Sequence, residues 1–184
     1  MEQSPVFDRN TVEFVTVAAE YCTFLESFAE NDRPRALDVL SKLLPLLYLK
    51  ASMLPEATVQ GLYLEECVTE PEYDDIRAMV SGVLADADDY LEVFVEEMKY
   101  SDTPVRQCIS EDLADIYQAL KNFINSYRSG LGEVMEESVA VCREAFCSYW
   151  GQNLVNTLRA VHSAKYRIAD GDDDFNTESD GLYD

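Results

Sequence analysis

The chain has one histidine and one tryptophan in 184 residues, and only 14 lysines and arginines against 36 aspartates and glutamates. With His162 alone, no mechanism needing a histidine pair or a facial metal triad can be assembled. Single-histidine chemistry stays open, and a proton-shuttle reading of His162 competes with the plainer one of a helix-edge histidine satisfied by a neighbour. The shortage of basic residues leaves a formal net charge of −22, which repels phosphate backbones and anionic lipid, so neither direct nucleic-acid binding nor membrane attachment is expected. No apolar run approaches the roughly 20 residues that span a bilayer. Met1 to Pro5 lacks the basic and apolar regions of a secretory signal, and a cytoplasmic location is the expectation. Gly-rich phosphate loops, Gly-x-Ser-x-Gly, His-Glu-x-x-His, Cys-x-x-Cys and the Glu-x-x-His of di-iron bundles are all missing. The sequence therefore implies no metal and no cofactor, and makes catalysis the less favoured reading.

What is present is a composition able to fold. Apolar residues make up 47% and aromatics 11% of the sequence, and a chain of this length hides roughly 70% of its unfolded surface. Cys22, Cys67, Cys108, Cys142 and Cys147 follow neither a disulfide framework nor a zinc spacing and read as reduced core thiols. Charge is distributed unevenly: Glu56 to Asp102 holds 14 acids and 2 bases, whereas Ala145 to Ala169 holds Arg159, Lys165 and Arg167 and no carboxylate. An electrically polar molecule follows.

Apolar residues recur at three and four through most of the chain, the spacing that lines one face of a helix. Asn10 and Glu13 have the form of a capping box opening a first helix with Phe14, Val17, Tyr21, Leu25 and Phe28 on one stripe and Val15, Ala18 and Cys22 beside it. Pro34 opens a second helix, in which Pro45 predicts a kink or a break because proline removes a backbone donor and clashes one turn back. Glu56 to Glu70 reads as a connection with room for a turn of helix. Thr69, Pro71 and Glu72 begin a third helix, and Tyr90 to Met98 reads as a short helix or a strand. Ser110 is placed to cap a helix carrying Leu113, Ile116, Tyr117, Leu120, Ile124 and Tyr127, which Gly130 stops. Beyond Gly132 the pattern makes one long helix, or two joined near Gly151. The expected architecture is an all-α antiparallel bundle of five to seven helices over residues 1–169, followed by an acidic, disordered tail over 170–184 with seven acids and no base.

Three features invite a sharper reading. Glu13 and Glu20 share a helix face but have no partners elsewhere, which favours solvated charge. Asn176, Glu178, Asp180 and Gly181 resemble half a calcium loop without its closing glutamate. Gln152, Asn156, Arg159 and Ser163 form a polar stripe, solvated face or binding strip, in which Arg159 can grip a carboxylate or phosphate in bidentate fashion. Together with neighbouring polar-tipped residues this makes Trp150, Asn153, Asn156, Arg159 and His162 the candidate ligand-binding residues, with Tyr21, Tyr48 and Tyr117 as further wall positions.

Four segments carry a family resemblance: residues 14–26, residues 43–51 with Leu44-Pro45-Leu46-Leu47-Tyr48, residues 109–117, and residues 149–162 opening with Tyr149-Trp150-Gly151. They resemble a bacterial family known as domain of unknown function 5063. That resemblance implies an all-helical intracellular protein and brings no activity, cofactor or catalytic residue with it. The residues themselves favour a non-catalytic helical interaction module whose acidic region meets a basic protein. The alternatives are a small-ligand binder or enzyme with an interhelical pocket near Trp150, Arg159 and His162, and an acidic nucleic-acid mimic.

Overall fold

The structure, a computed structural model, describes residues 4–91 and 105–171, with side chains followed to Arg167. Helix α1 (Arg9–Glu26) and helix α2 (Arg33–Ser52) come first, then α3 (Glu70–Leu84), the short strands β1 (Asp89–Leu91) and β2 (Arg106–Cys108), α4 (Ile109–Tyr127), α5 (Gly132–Ala145) and α6 (Gly151–Gly171). The two strands pair antiparallel, with Tyr90 opposite Gln107. The all-α bundle expected from periodicity is what forms. Its axis is α4, which packs against α1, α3, α5 and α6, while α2 lies across α1 and α6.

Centrality explains the composition of α4. A helix at the side of a bundle buries one stripe, but α4 buries Asp112, Ala114, Phe123 and Ser126 in addition to Leu113, Ile116, Leu120 and Ile124. Phe14, Tyr21, Leu25, Trp150 and Leu154 close around it, and Leu40, Leu44 and Leu47 of α2 complete the core, all with essentially no exposure. Each such side chain contributes about 1.5–3 kcal/mol on leaving water.

Several helix ends differ from expectation. Asp8, not Asn10, caps α1, accepting from the Asn10 amide at 2.8 Å, while Glu13 turns outward to Arg9 (2.8 Å) and Lys50 (2.6 Å). Ser110 does not cap α4. Its amide and hydroxyl both donate, at 2.7 Å each, to the buried carboxylate of Asp88, which arrives from the β1 side of the chain. Residue spacing cannot anticipate a cap supplied 22 positions away. The Thr69–Glu72 capping box is present with both of its arms and Pro71 in the first turn. Helix α2 runs from Arg33 to Ser52 with Pro45 inside it, so the chain is not broken there.

The connection expected from residue 56 is present as an irregular stretch up to Thr69, without the turn of helix it had room for. Tyr90 and Leu91 belong to a strand, and residues 92–98 lie outside the described residues. Helix α6 reaches Gly171, and the acidic tail beyond it, including the half calcium loop, also lies outside them. Of the five thiols, Cys22 and Cys142 are buried as expected, Cys67 and Cys108 are half-buried, and Cys147 is exposed, which corrects its reading as a core residue.

Helices α5 and α6 are joined by a π turn at Phe146–Trp150 rather than by a loop. Phe146, Trp150 and Leu154 are spaced by four, a repeat that drifts off one face of a 3.6-residue helix. One wide turn absorbs the extra residue and returns all three to the core. Gly151 follows because a Cβ there would lie 2.4 Å from the Phe146 carbonyl oxygen and 2.9 Å from its ring.

Candidate functional site

Residues 53–69 cross the bundle without regular structure, so their backbone amides need partners from elsewhere. Glu137, on the buried side of α5, supplies three of them: its carboxylate accepts from the amides of Gln60 (2.7 Å), Gly61 (2.7 Å) and Leu62 (3.0 Å). Gly61 has φ +81°, the left-handed conformation that bends consecutive amides toward one point and makes a concave anion seat. Asn122 on α4 holds the far end, its Oδ1 accepting from Cys67 (2.8 Å) and Val68 (3.1 Å).

Between these two anchors the segment stands off the helices and leaves a groove of about 320 Å³. Its floor is Ala119, Phe123, Val141 and Cys142 from α4 and α5, and its outer lip is Leu62, Leu64, Glu65 and Glu66. Tyr63 beside it is 87% exposed. Among the described residues Glu65, Glu66, Glu70 and Asp75 enter no ion pair. One edge of an apolar trough thus carries uncompensated negative charge.

A polar network occupies the other flank of α4. Asp112 accepts from Tyr90 of β1 (2.5 Å) and Thr157 of α6 (2.9 Å), both on Oδ2. One turn on, Asp115 accepts from Tyr73 of α3 (2.8 Å), Tyr149 of the π turn (2.5 Å) and Asn153 of α6 (3.5 Å). Burial pushes the Asp112 carboxyl up to about 6, against the two hydrogen bonds that pull it down. Burial, together with the Asp115 bond, raises Tyr149 to about 12. These groups tie β1, α3 and α6 to the central helix, and neither carboxylate lines the groove or the cavity described next.

That cavity, about 550 Å³, opens between β1, the first residue of α2 and the outer face of α6. Arg33, Arg159 and Arg167 line it, with Asp86, Asp89, Tyr90 and Ser163. Arg33 meets Asp86 at 2.8 Å, and Asp89 pairs with Arg106 of β2. Arg159 donates to the Leu91 carbonyl at 2.7 Å and lies 6.0 Å from the centre of the Tyr90 ring.

The family described as "Domain of unknown function (DUF5063)" matches residues 5–167 of this chain. The chain belongs to the DUF5063 family. Among solved structures, the crystal structure of protein BF1032 from Bacteroides fragilis is similar at 47% sequence identity and a TM-score of 0.78, covering 88% of this chain and 96% of that one. No curated protein matches. Among the described residues of this DUF5063 chain, no helix is long and apolar enough to cross a membrane.

The residues singled out from sequence do not converge in this DUF5063 fold. Trp150 is fully buried, stacked 6.4 Å from Phe14 and tilted against Phe146 at 4.8 Å, and among the described residues its indole N–H has no acceptor. Asn153 is half-buried and turned to Asp115, and Asn156 accepts from Gln152 at 3.0 Å. His162 is exposed with its ring 4.6 Å from that of Tyr166. Arg159 alone of the five lines the cavity, joined by Ser163 of the same polar stripe. The tyrosines proposed as walls serve elsewhere: Tyr21 donates to the Leu113 carbonyl (2.8 Å), Tyr117 to Glu26 (2.9 Å), and Tyr48 packs edge-on against Phe146. Arg33 and Tyr90 were missed because helix periodicity carries no information about which distant segment meets α6. Glu137 was missed because a glutamate on a helix reads as solvated unless its loop partner is known.

Proposed function

We propose that this DUF5063 protein is a non-catalytic interaction module that receives a basic, amphipathic segment of a partner protein in the groove between residues 62–66 and helices α4 and α5. The observation that carries this reading is the pairing of an apolar floor, Phe123 and Val141 among it, with a lip at which Glu65 and Glu66 enter no ion pair among the described residues. A segment with apolar residues one helical turn apart fits the floor, and lysines or arginines along its flank meet the lip. Charge then steers the encounter and sets partner sign, while burial of the anchors supplies affinity. Two further features support it: the lip is held rigidly by Glu137 and Asn122, and Tyr63 stands exposed beside it as an aromatic anchor of the kind enriched at interfaces.

The test uses a synthetic helical peptide with leucines at i and i+4 and lysines between, and its counterpart with glutamates for lysines, titrated against the full chain by fluorescence anisotropy. The basic peptide binds, the acidic one does not, and binding weakens with salt because exposed charges are screened beyond about 8–10 Å. The double variant Glu65→Lys, Glu66→Lys and the floor variant Val141→Asp each lower affinity at least tenfold. Equal binding of the two peptides, or undiminished binding by both variants, contradicts the reading.

A further inference from the structure

We infer that the cavity between α6, the start of α2 and β1 is a binding site for a small phosphorylated anion, independent of the acidic groove. The argument begins with spacing. Arg159, Ser163 and Arg167 follow one another at four residues and so share one stripe of α6. Ala160 and Ala164 beside them keep the floor low, which leaves the space open between the arginines. Arg33, from the beginning of α2, closes it from the other side.

Charge is the second observation. The molecule as a whole carries −22, yet this wall brings three guanidiniums together. Among the described residues two carboxylates line it: Asp89 is engaged by Arg106, which is not part of the wall, and Asp86 is held by Arg33. Arg159 is positioned by a neutral carbonyl and a ring face, contacts that orient a guanidinium without neutralising it. Among the described residues Arg167 has no ion-pair partner. Like charges gathered in this way repel one another, and an anion between them relieves the repulsion.

The donor count favours phosphate over carboxylate. A guanidinium carries five N–H donors in a planar fork, whereas a single carboxylate offers about four acceptor positions. Two largely uncommitted forks and the Ser163 hydroxyl suit the three terminal oxygens of a phosphomonoester dianion. At about 550 Å³ the cavity falls within the range of small-molecule sites, roughly 300–1,000 Å³, so it has room for an organic body along Tyr90 and Leu91.

Isothermal titration of the full chain with inorganic phosphate, glucose 6-phosphate and succinate, at constant ionic strength set by sodium chloride, tests the inference. Saturable binding of glucose 6-phosphate is expected, with inorganic phosphate weaker and succinate at least tenfold weaker. Arg159→Ala and Arg167→Ala each reduce affinity for glucose 6-phosphate at least tenfold. Among the described residues Arg167 has no ion pair to lose, and a urea titration of its variant separates loss of binding from loss of fold. Arg128→Ala, an exposed arginine away from the cavity, leaves binding unchanged. The inference is overturned if no phosphate probe saturates, if succinate binds as well, if the Arg128 variant loses as much as the other two, or if both cavity variants bind like the parent.

Discussion

Replacing Asp112 by asparagine should make the protein more stable at neutral pH and flatten its response to acid. The carboxyl is about 6% exposed and its proton is held up to about 6, from an ordinary value of 3.8. The folded state thus binds this proton more tightly than the unfolded chain does. Between pH 4 and 6 unfolding releases a proton, so stability falls as pH rises through that window. Above pH 6 the charged, buried carboxylate carries its full cost. A shift of about two units corresponds to an upper bound of about 3 kcal/mol. Asparagine avoids that cost and keeps the bonds, because Tyr90 and Thr157 both donate to the same oxygen, which the amide carbonyl replaces. Loss of a charge-assisted bond reduces the gain, leaving about 1–2 kcal/mol, or about 2–8 °C in Tm for a chain of this size. Urea titrations of both proteins at pH 7.5 and pH 4.5 isolate the effect, since the other acids respond alike in the two. A variant less stable than the parent at pH 7.5, or a stability difference that does not shrink toward pH 4.5, would refute the reasoning.

Glu137→Gln presents an amide donor to the backbone donors of residues 60–62 and should cost about 1–3 kcal/mol, with faster hydrogen exchange at Gln60, Gly61 and Leu62; unchanged protection there would mean that the carboxylate does not anchor the segment. Gly151→Ala forces a methyl group against the Phe146 carbonyl, and overpacking of this kind costs about 1–3 kcal/mol, read as a lower urea midpoint; a neutral result would mean the π turn relaxes freely. Thr69→Ala removes one arm of a complete capping box and should cost about 1 kcal/mol, with fraying confined to the first turn of α3 in hydrogen exchange; loss spread over the whole bundle would contradict a local cap.

Much of the bundle was legible because helices bury stripes, and stripes repeat at 3.6 residues whatever the helix meets. The faces of Phe14, Tyr21 and Leu25, and of Leu113, Ile116 and Leu120, needed nothing beyond that period. The Thr69 cap was legible because both of its groups lie within four residues. Caps and anchors that reach across the chain were not: Asp88 serves α4 from another element, and Glu137 serves a segment 75 to 77 residues away. Pro45 left a kink and a break both open because its cost to one helix is visible locally, whereas the packing of Leu44 and Leu47 that keeps α2 a single helix is not.

The candidate sites divide in the same way. Amino-acid order alone determined the helical class, the excess of carboxylate, the poverty of histidine chemistry and the polar stripe containing Arg159, since each is a matter of composition or of neighbours within a few turns. Tertiary structure decided that Trp150 belongs to the core and His162 to the surface, that Arg33 and Arg159 line one cavity, and that Glu65 edges an apolar groove. Those facts depend on how separate helices are set against one another, which is chosen by the packing of whole faces and is not encoded in any one stretch of chain.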